Sequence, residues 1–163
     1  MITPIFMLAL MMTPAMLARI FSATTGNLRD TRAAGSIGLG LLFAFTASGH
    51  FIQTESMALM LPTWVPGRVS LVYATGLLEI AIAVAFWLPA YRKYAGWAAA
   101  VVLVAFFPAN IYAALERVPF GGHAWGPVYL WIRAPVQIAI LAWVVWCSIA
   151  PGRKLPVDAA RGN

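Results

Sequence analysis

The chain has 163 residues, of which 62% are hydrophobic and only 10% charged, against roughly 45–50% and about 25% in an ordinary soluble domain. A soluble domain of this size has no interior large enough for so much apolar surface, so the sequence reads as an integral membrane protein. The net charge of +6 does not indicate nucleic acid, because the basic residues fall in short clusters between apolar runs and form no recognisable module with one basic face.

A transmembrane helix needs about 20 predominantly apolar residues, and five stretches qualify: 2–21, 34–51, 69–89, 95–115 and 128–150. The first is Met-rich and carries Pro4 and Pro14, which leaves open whether it spans the bilayer or lies in the interface. It lacks the basic region that precedes the apolar stretch of a cleaved signal peptide. The polar stretch 22–31 links it to the rest. In the second segment Ser36, Gly40, Ala44 and Ser48 recur every four residues, a stripe of small side chains that lets a neighbouring helix approach closely. Ala95, Ala98, Ala99, Ala105, Ala109 and Ala113 play the same part in the fourth. The predicted fold is all-α: an integral membrane four-helix bundle core over 32–150, an additional N-terminal hydrophobic helix with its linker over 1–31, and a basic tail over 151–163.

Cytoplasmic loops of membrane proteins carry an excess of Lys and Arg. Arg19, Arg29 and Arg32 follow the first segment, Arg92 and Lys93 the third, and Arg153, Lys154 and Arg161 the fifth. The intervening loops, 52–68 and 116–127, carry one Glu and one Arg each. Five spans with the N-terminus outside and the C-terminus in the cytoplasm, in the plasma (inner) membrane, satisfy every loop. Trp and Tyr gather at the two membrane surfaces. Trp64, Trp125, Tyr129 and Trp131 would mark the outer belt, and Trp87, Tyr91, Tyr94, Trp97 and Trp146 the inner one.

An ionisable side chain at the bilayer centre costs about 2.5–3.5 kcal/mol on insertion scales and faces protein or water. Glu79 lies near the middle of the third segment. Arg133 enters from the outer edge of the fifth, with Gln137 one turn deeper on the same face. His50 lies at the outer end of the second segment and Asn110 near that of the fourth, so each of the four core helices brings a polar group to the outer half of the membrane. Thr75, one turn above Glu79, and Tyr112 extend the set. Pro108 and Pro135 leave the carbonyls of Val104 and Trp131 without their helical donors, and broken membrane helices are tolerated where a cavity is lined. The expectation is a small polar cavity open to the outside. Beside it stands a plainer reading, in which Glu79 and Arg133 form an ion pair that fixes packing and Asn110 and Gln137 are interhelical hydrogen-bond glue. His123, in the GGHAWGP loop, reads as solvated.

Known chemistries find little support. The one cysteine, Cys147, excludes an intramolecular disulfide, a CxxC pair and a multi-cysteine metal site. Two distant histidines with Glu55, Glu79 and Glu116 show no metal-ligand spacing, and there is no P-loop, GxGxxG or serine nucleophile elbow. No metal or nucleotide cofactor is expected, and the residues do not decide whether the protein is an enzyme.

Four stretches carry a resemblance: SGHF (48–51), PTWVP (62–66), YATGLLE (73–79) and FPANIYAAL (107–115). In order and spacing they resemble the DoxX-like membrane proteins over 32–150. The resemblance implies a four-helix membrane bundle, linked in some relatives to quinone-dependent redox complexes and in others to assembly of membrane proteins. His50, Glu79 and Asn110 fall inside these stretches; Arg133 and Gln137 rest on depth alone. Some redox-associated relatives use cysteine pairs, which this chain lacks.

Two functions follow as expectations. One is a redox-associated subunit that binds a quinone or other small lipophilic molecule through His50, Glu79, Asn110, Arg133 and Gln137. The alternative is a non-catalytic partner that assembles or stabilises another membrane protein, docking through the apolar stretch 57–65. Solute export would need more spans or a homo-oligomer, and no inverted repeat is visible. The partners expected are the lipid bilayer and either a second membrane protein or another copy of the chain, with no nucleic acid.

Overall fold

The structure is a computed structural model that describes residues 2–26 and 30–150. The topology residues Arg29, Arg153, Lys154 and Arg161 and the basic tail 151–163 lie outside the described residues. The elements, in chain order, are α1 (Ile2–Thr25), α2 (Thr31–Ile52), the short α3 (Thr54–Ala58), α4 (Arg68–Trp87), α5 (Arg92–Leu115) and α6 (Leu130–Val144). A single 3-10 turn covers Pro89–Tyr91, a 3-10 stretch kinked at Gly126 covers His123–Tyr129, and a π-helical turn, Val145–Ile149, continues α6. Five of the described helical stretches are long and apolar enough to cross a membrane. The protein is an all-α membrane protein with helix-bundle packing.

Local chemistry sets the helix ends. Asp30 caps α2, its carboxylate accepting from the backbone N–H of Arg32 at 2.9 Å and of Ala33 at 3.1 Å, two donors that a helix start leaves without partners. Leu88, extended ahead of Pro89, closes α4, because a residue before proline is excluded from helical conformation. At the same end of the bundle two arginines close the C-termini of helices. Arg32 donates to the carbonyls of Trp146 and Ala150, and Arg92 donates to that of Phe86 at 3.3 Å. A cation there satisfies orphan carbonyls and opposes the helix dipole. Residues that the sequence marks as topology signals therefore also bind the bundle together.

The four core helices form a ring in which α2 meets α4, α4 meets α5, α5 meets α6, and α6 with its π-helical turn returns to α2. Because successive helices run in opposite directions, one end of the bundle gathers the first half of α2, the second half of α4, the first half of α5 and the second half of α6. That end is apolar: Leu39, Leu42, Phe43, Ile82, Phe86, Ala99, Val102, Ile140 and Val144 form one buried cluster. The polar residues lie at the other end.

The first segment, open in sequence between span and interfacial helix, runs alongside the bundle. Phe6 packs edge-on against Phe45 with ring centroids 5.0 Å apart, and Met11, buried, lies against Gly38. α1 is therefore antiparallel to α2 along its length, with Pro14 accommodated inside it.

The small residues of α2 work differently from the predicted single stripe. Ser36 is buried beside Ser148, but Ser48 is exposed. Gly40 of that stripe approaches the Trp87 indole closely, and glycines on other faces make further close contacts: Gly35 against the Cys147 thiol and Gly38 against the α1 backbone. On α4, Gly76 fills the same need at the polar end. A Cβ there would lie 2.7 Å from the His50 Cβ and 3.1 Å from the Phe51 ring. On α5, Ala95, Ala99 and Ala113 are buried as expected, whereas Ala105 faces outward.

Overpacking a tight contact costs about 1–3 kcal/mol, whereas an exposed substitution stays within about 0.5 kcal/mol. Gly76→Val should therefore lower the thermal unfolding temperature in detergent while Ala105→Leu leaves it unchanged. Equal effects of the two would show that α2 and α4 are not this close.

Candidate functional site

The polar end is built where α2 finishes, α4 starts, α5 finishes and α6 starts, the level at which one polar group per helix was expected. His50 and Glu79 face each other across the α2–α4 contact that Gly76 permits. The Nε2 of His50 is 3.6 Å from Oε1 of Glu79, and both side chains are buried. The other ring nitrogen, Nδ1, is 3.0 Å from the Val72 carbonyl oxygen and 3.1 Å from the Thr75 hydroxyl. A carbonyl only accepts, so Nδ1 carries a hydrogen and donates to Val72. In a neutral ring that leaves Nε2 with a lone pair. A bare lone pair facing a bare carboxylate oxygen repels it, so the contact is favourable with a proton on one atom or the other, and it is an ion pair when His50 carries that proton. The separation is that of an ion pair, longer than a hydrogen bond.

The second half of the site joins α5 to α6. The Nε of Arg133 donates to Oδ1 of Asn110 at 3.0 Å, and Nδ2 of Asn110 donates to its own helix at the Phe106 carbonyl, 2.8 Å away. One turn deeper, Nε2 of Gln137 donates to the Leu103 carbonyl at 2.7 Å. Phe106 bridges the halves, its ring centroid 6.2 Å from that of His50. The expected Glu79–Arg133 ion pair is not formed: the carboxylate's partner is His50, while Arg133 stays within electrostatic range of Glu79 and of Tyr129. The carbonyl that receives Gln137 is that of Leu103, one residue before the Val104 carbonyl that Pro108 leaves without a donor. Val104 faces outward, so its carbonyl lies on the wrong side of α5 for a side chain from α6. Tyr112 is half-buried and takes no part in these bonds.

The side chains fill the space in which an open cavity was expected. His50, Glu79, Asn110 and Gln137 are only 5–9% exposed. Two clefts lie elsewhere. One, of about 400 Å³, lies on the loop between α3 and α4 beside Arg68, and the other, of about 650 Å³, lies between α1 and α2. Yet the packed layer is incomplete in hydrogen bonds. Among the described residues Glu79 Oε2 and Gln137 Oε1 are buried without a partner, and so, in the loop above, is His123 Nε2. Trp143 Nε1 is in the same condition at the apolar end. Buried polar groups are nearly always satisfied. Arg133 is only partly buried, and its terminal amines make no hydrogen bond among the described residues.

His123 was expected in solvent and is 3% exposed. Gly121 and Gly122, with φ of 61° and 99°, turn the loop back on itself. His123 then stacks edge-on against Tyr129 with centroids 4.9 Å apart and bonds the Phe120 carbonyl at 2.8 Å through Nδ1. Tyr129, assigned to the outer aromatic belt, is buried for the same reason, whereas Trp64 and Trp131 are more than four-fifths exposed. The signal that could have found His123 is the glycine pair before it, since positive φ at two successive residues makes a compact turn. Among the described residues no group of His, Cys, Asp and Glu is placed to hold a metal ion.

A family model for a domain of unknown function, DUF8561, matches residues 39–148. The chain belongs to the DUF8561 family. No curated protein and no solved structure matches it. The DUF8561 match takes in His50, Glu79, Asn110, Arg133 and Gln137, the whole of the polar layer.

Removing one member of a buried pair costs about 3–5 kcal/mol, because the other is left uncompensated. In this DUF8561 protein His50→Leu should be strongly destabilising, and Glu79→Gln added to it should cost much less than it does alone. A double-mutant cycle on unfolding should give a coupling above about 1 kcal/mol; additivity to within about 0.5 kcal/mol would mean that the two residues act independently.

Proposed function

We propose that the polar layer binds the head of a quinone or another small lipophilic molecule, and that the protein serves as a subunit of a redox-linked membrane complex. One observation carries the reading. At membrane depth, where water is scarce, Glu79 Oε2 and Gln137 Oε1 stand unsatisfied beside an arginine whose terminal amines are unengaged among the described residues. An oxygen-bearing head would accept from Arg133, while the buried oxygens receive whatever hydrogens it carries. The His50–Glu79 pair, which is favourable with one proton on either member, is suited to exchange one with such a head. Phe106 and the outward apolar faces of the helices offer its tail a lipid-side approach. The resemblance to DoxX-like proteins points the same way.

The orientation proposed is N-terminus outside and C-terminus in the cytoplasm, in the plasma (inner) membrane, with the site in the outer half. Support comes from charge. At the apolar end lie Arg19, Arg32, Arg92 and Lys93 with Asp30, whereas the polar end balances Arg68 and Arg117 with Glu55 and Glu116. An excess of basic residues marks the cytoplasmic side.

A short-chain quinone titrated into the detergent-solubilised protein should bind saturably. Arg133→Leu should weaken that binding at least about tenfold, a loss of about 1.4 kcal/mol, with helical content by circular dichroism unchanged. Absence of binding to the unmodified protein, or equal affinity in Arg133→Leu, would overturn the reading. Purification with a stoichiometric protein companion and no ligand would instead favour an assembly partner, toward which the exposed Ile52, Leu59 and Trp64 point.

A further inference from the structure

The unsatisfied buried atoms at the polar end are of one kind. Glu79 Oε2 offers lone pairs. The Gln137 amide is oriented by its Nε2 donating to Leu103, so the atom left over is the carbonyl oxygen, Oε1. At His123 the Nδ1 faces the Phe120 carbonyl at 2.8 Å and must carry the hydrogen, which leaves Nε2 with a lone pair in the neutral ring. Three elements thus present acceptors and no buried donor.

We infer that the head group this site takes brings its own hydrogens: the ligand is a lipophilic alcohol of the phenol or hydroquinone class, preferred over the same ring in its fully oxidised carbonyl form. The inference rests on the binding-site reading above and adds the polarity of the ligand. Charge narrows the choice further. With one proton on the pair, His50 and Glu79 are together neutral, so Arg133 leaves the layer with a single positive charge, which repels an ammonium donor. A carboxylate or phosphate would satisfy Arg133 but would add lone pairs beside acceptors that already lack hydrogens. A hydroxyl answers both needs. Its hydrogen meets Glu79 Oε2 or Gln137 Oε1, and its oxygen accepts from the terminal amines of Arg133. A site whose buried polar groups require a hydroxyl discriminates strongly against an analogue without one, because those groups are then left unpaired.

The test compares three probes on the full-length protein in detergent under anaerobic conditions: a short-chain hydroquinone, the corresponding quinone, and the hydroquinone dimethyl ether, which keeps the ring and loses both donors. Equilibrium binding should favour the hydroquinone at least about tenfold over each of the others, and Gln137→Leu should reduce that preference several-fold. If that variant does not fold, the three-probe comparison on the unmodified protein is sufficient. Equal affinity for the three, or tighter binding of the quinone, would overturn the inference while leaving the binding-site reading intact. Binding of none of them would overturn both.

Discussion

A carboxyl group within a lipid-embedded bundle must find a partner, and the arrangement of the polar end follows from how Glu79 finds one. The partner is a histidine, not an arginine. His50 reaches Glu79 because Gly76 lets α2 and α4 approach, and it presents Nε2 because the Val72 carbonyl fixes Nδ1 as a donor. The consequence is chemical. An arginine would have held Glu79 as a permanent carboxylate, since its guanidinium does not lose a proton. A histidine can take up and release the proton that makes the two an ion pair.

The division of the bundle into an apolar and a polar end has the same origin in helix direction. Alternating helices bring Leu39, Phe86, Ala99 and Val144 to one level and His50, Glu79, Asn110 and Gln137 to the other. The apolar end is held by close packing and by arginines that close helix C-termini. The polar end is held by directional bonds, of which some atoms lack their share. In membranes the interhelical hydrogen bond is worth only about 0.6 kcal/mol on average, so a layer of unsatisfied acceptors is not a device for stability.

Much of this was legible in the sequence. The five apolar stretches are close to the observed helices, and the common depth of His50, Glu79, Asn110, Arg133 and Gln137 follows from counting along each span. Azimuth was not legible. Helices that are apolar almost all round give no stripe from which to read which face a polar residue occupies, so the sequence leaves Glu79 open to Arg133 or His50 at the same depth. The same limit turns a packed layer into an expected cavity, and it hides the other faces of α2 on which Gly35 and Gly38 make close contacts. His123 and Tyr129 were missed for another reason: a glycine-rich loop was read by composition as exposed, whereas two positive-φ glycines fold it inward.

The polar end depends on where the histidine protons are, and nitrogen-15 NMR of the ¹⁵N-histidine-labelled protein in lipid bilayers reads them directly. With only two histidines in the chain, the His123→Phe variant assigns His50. The result expected is a His50 ring protonated at Nδ1, whose Nε2 resonance is displaced by a strong hydrogen bond or full protonation and changes in Glu79→Gln. A neutral ring protonated only at Nε2, indifferent to Glu79→Gln, would contradict the pairing of His50 with Glu79.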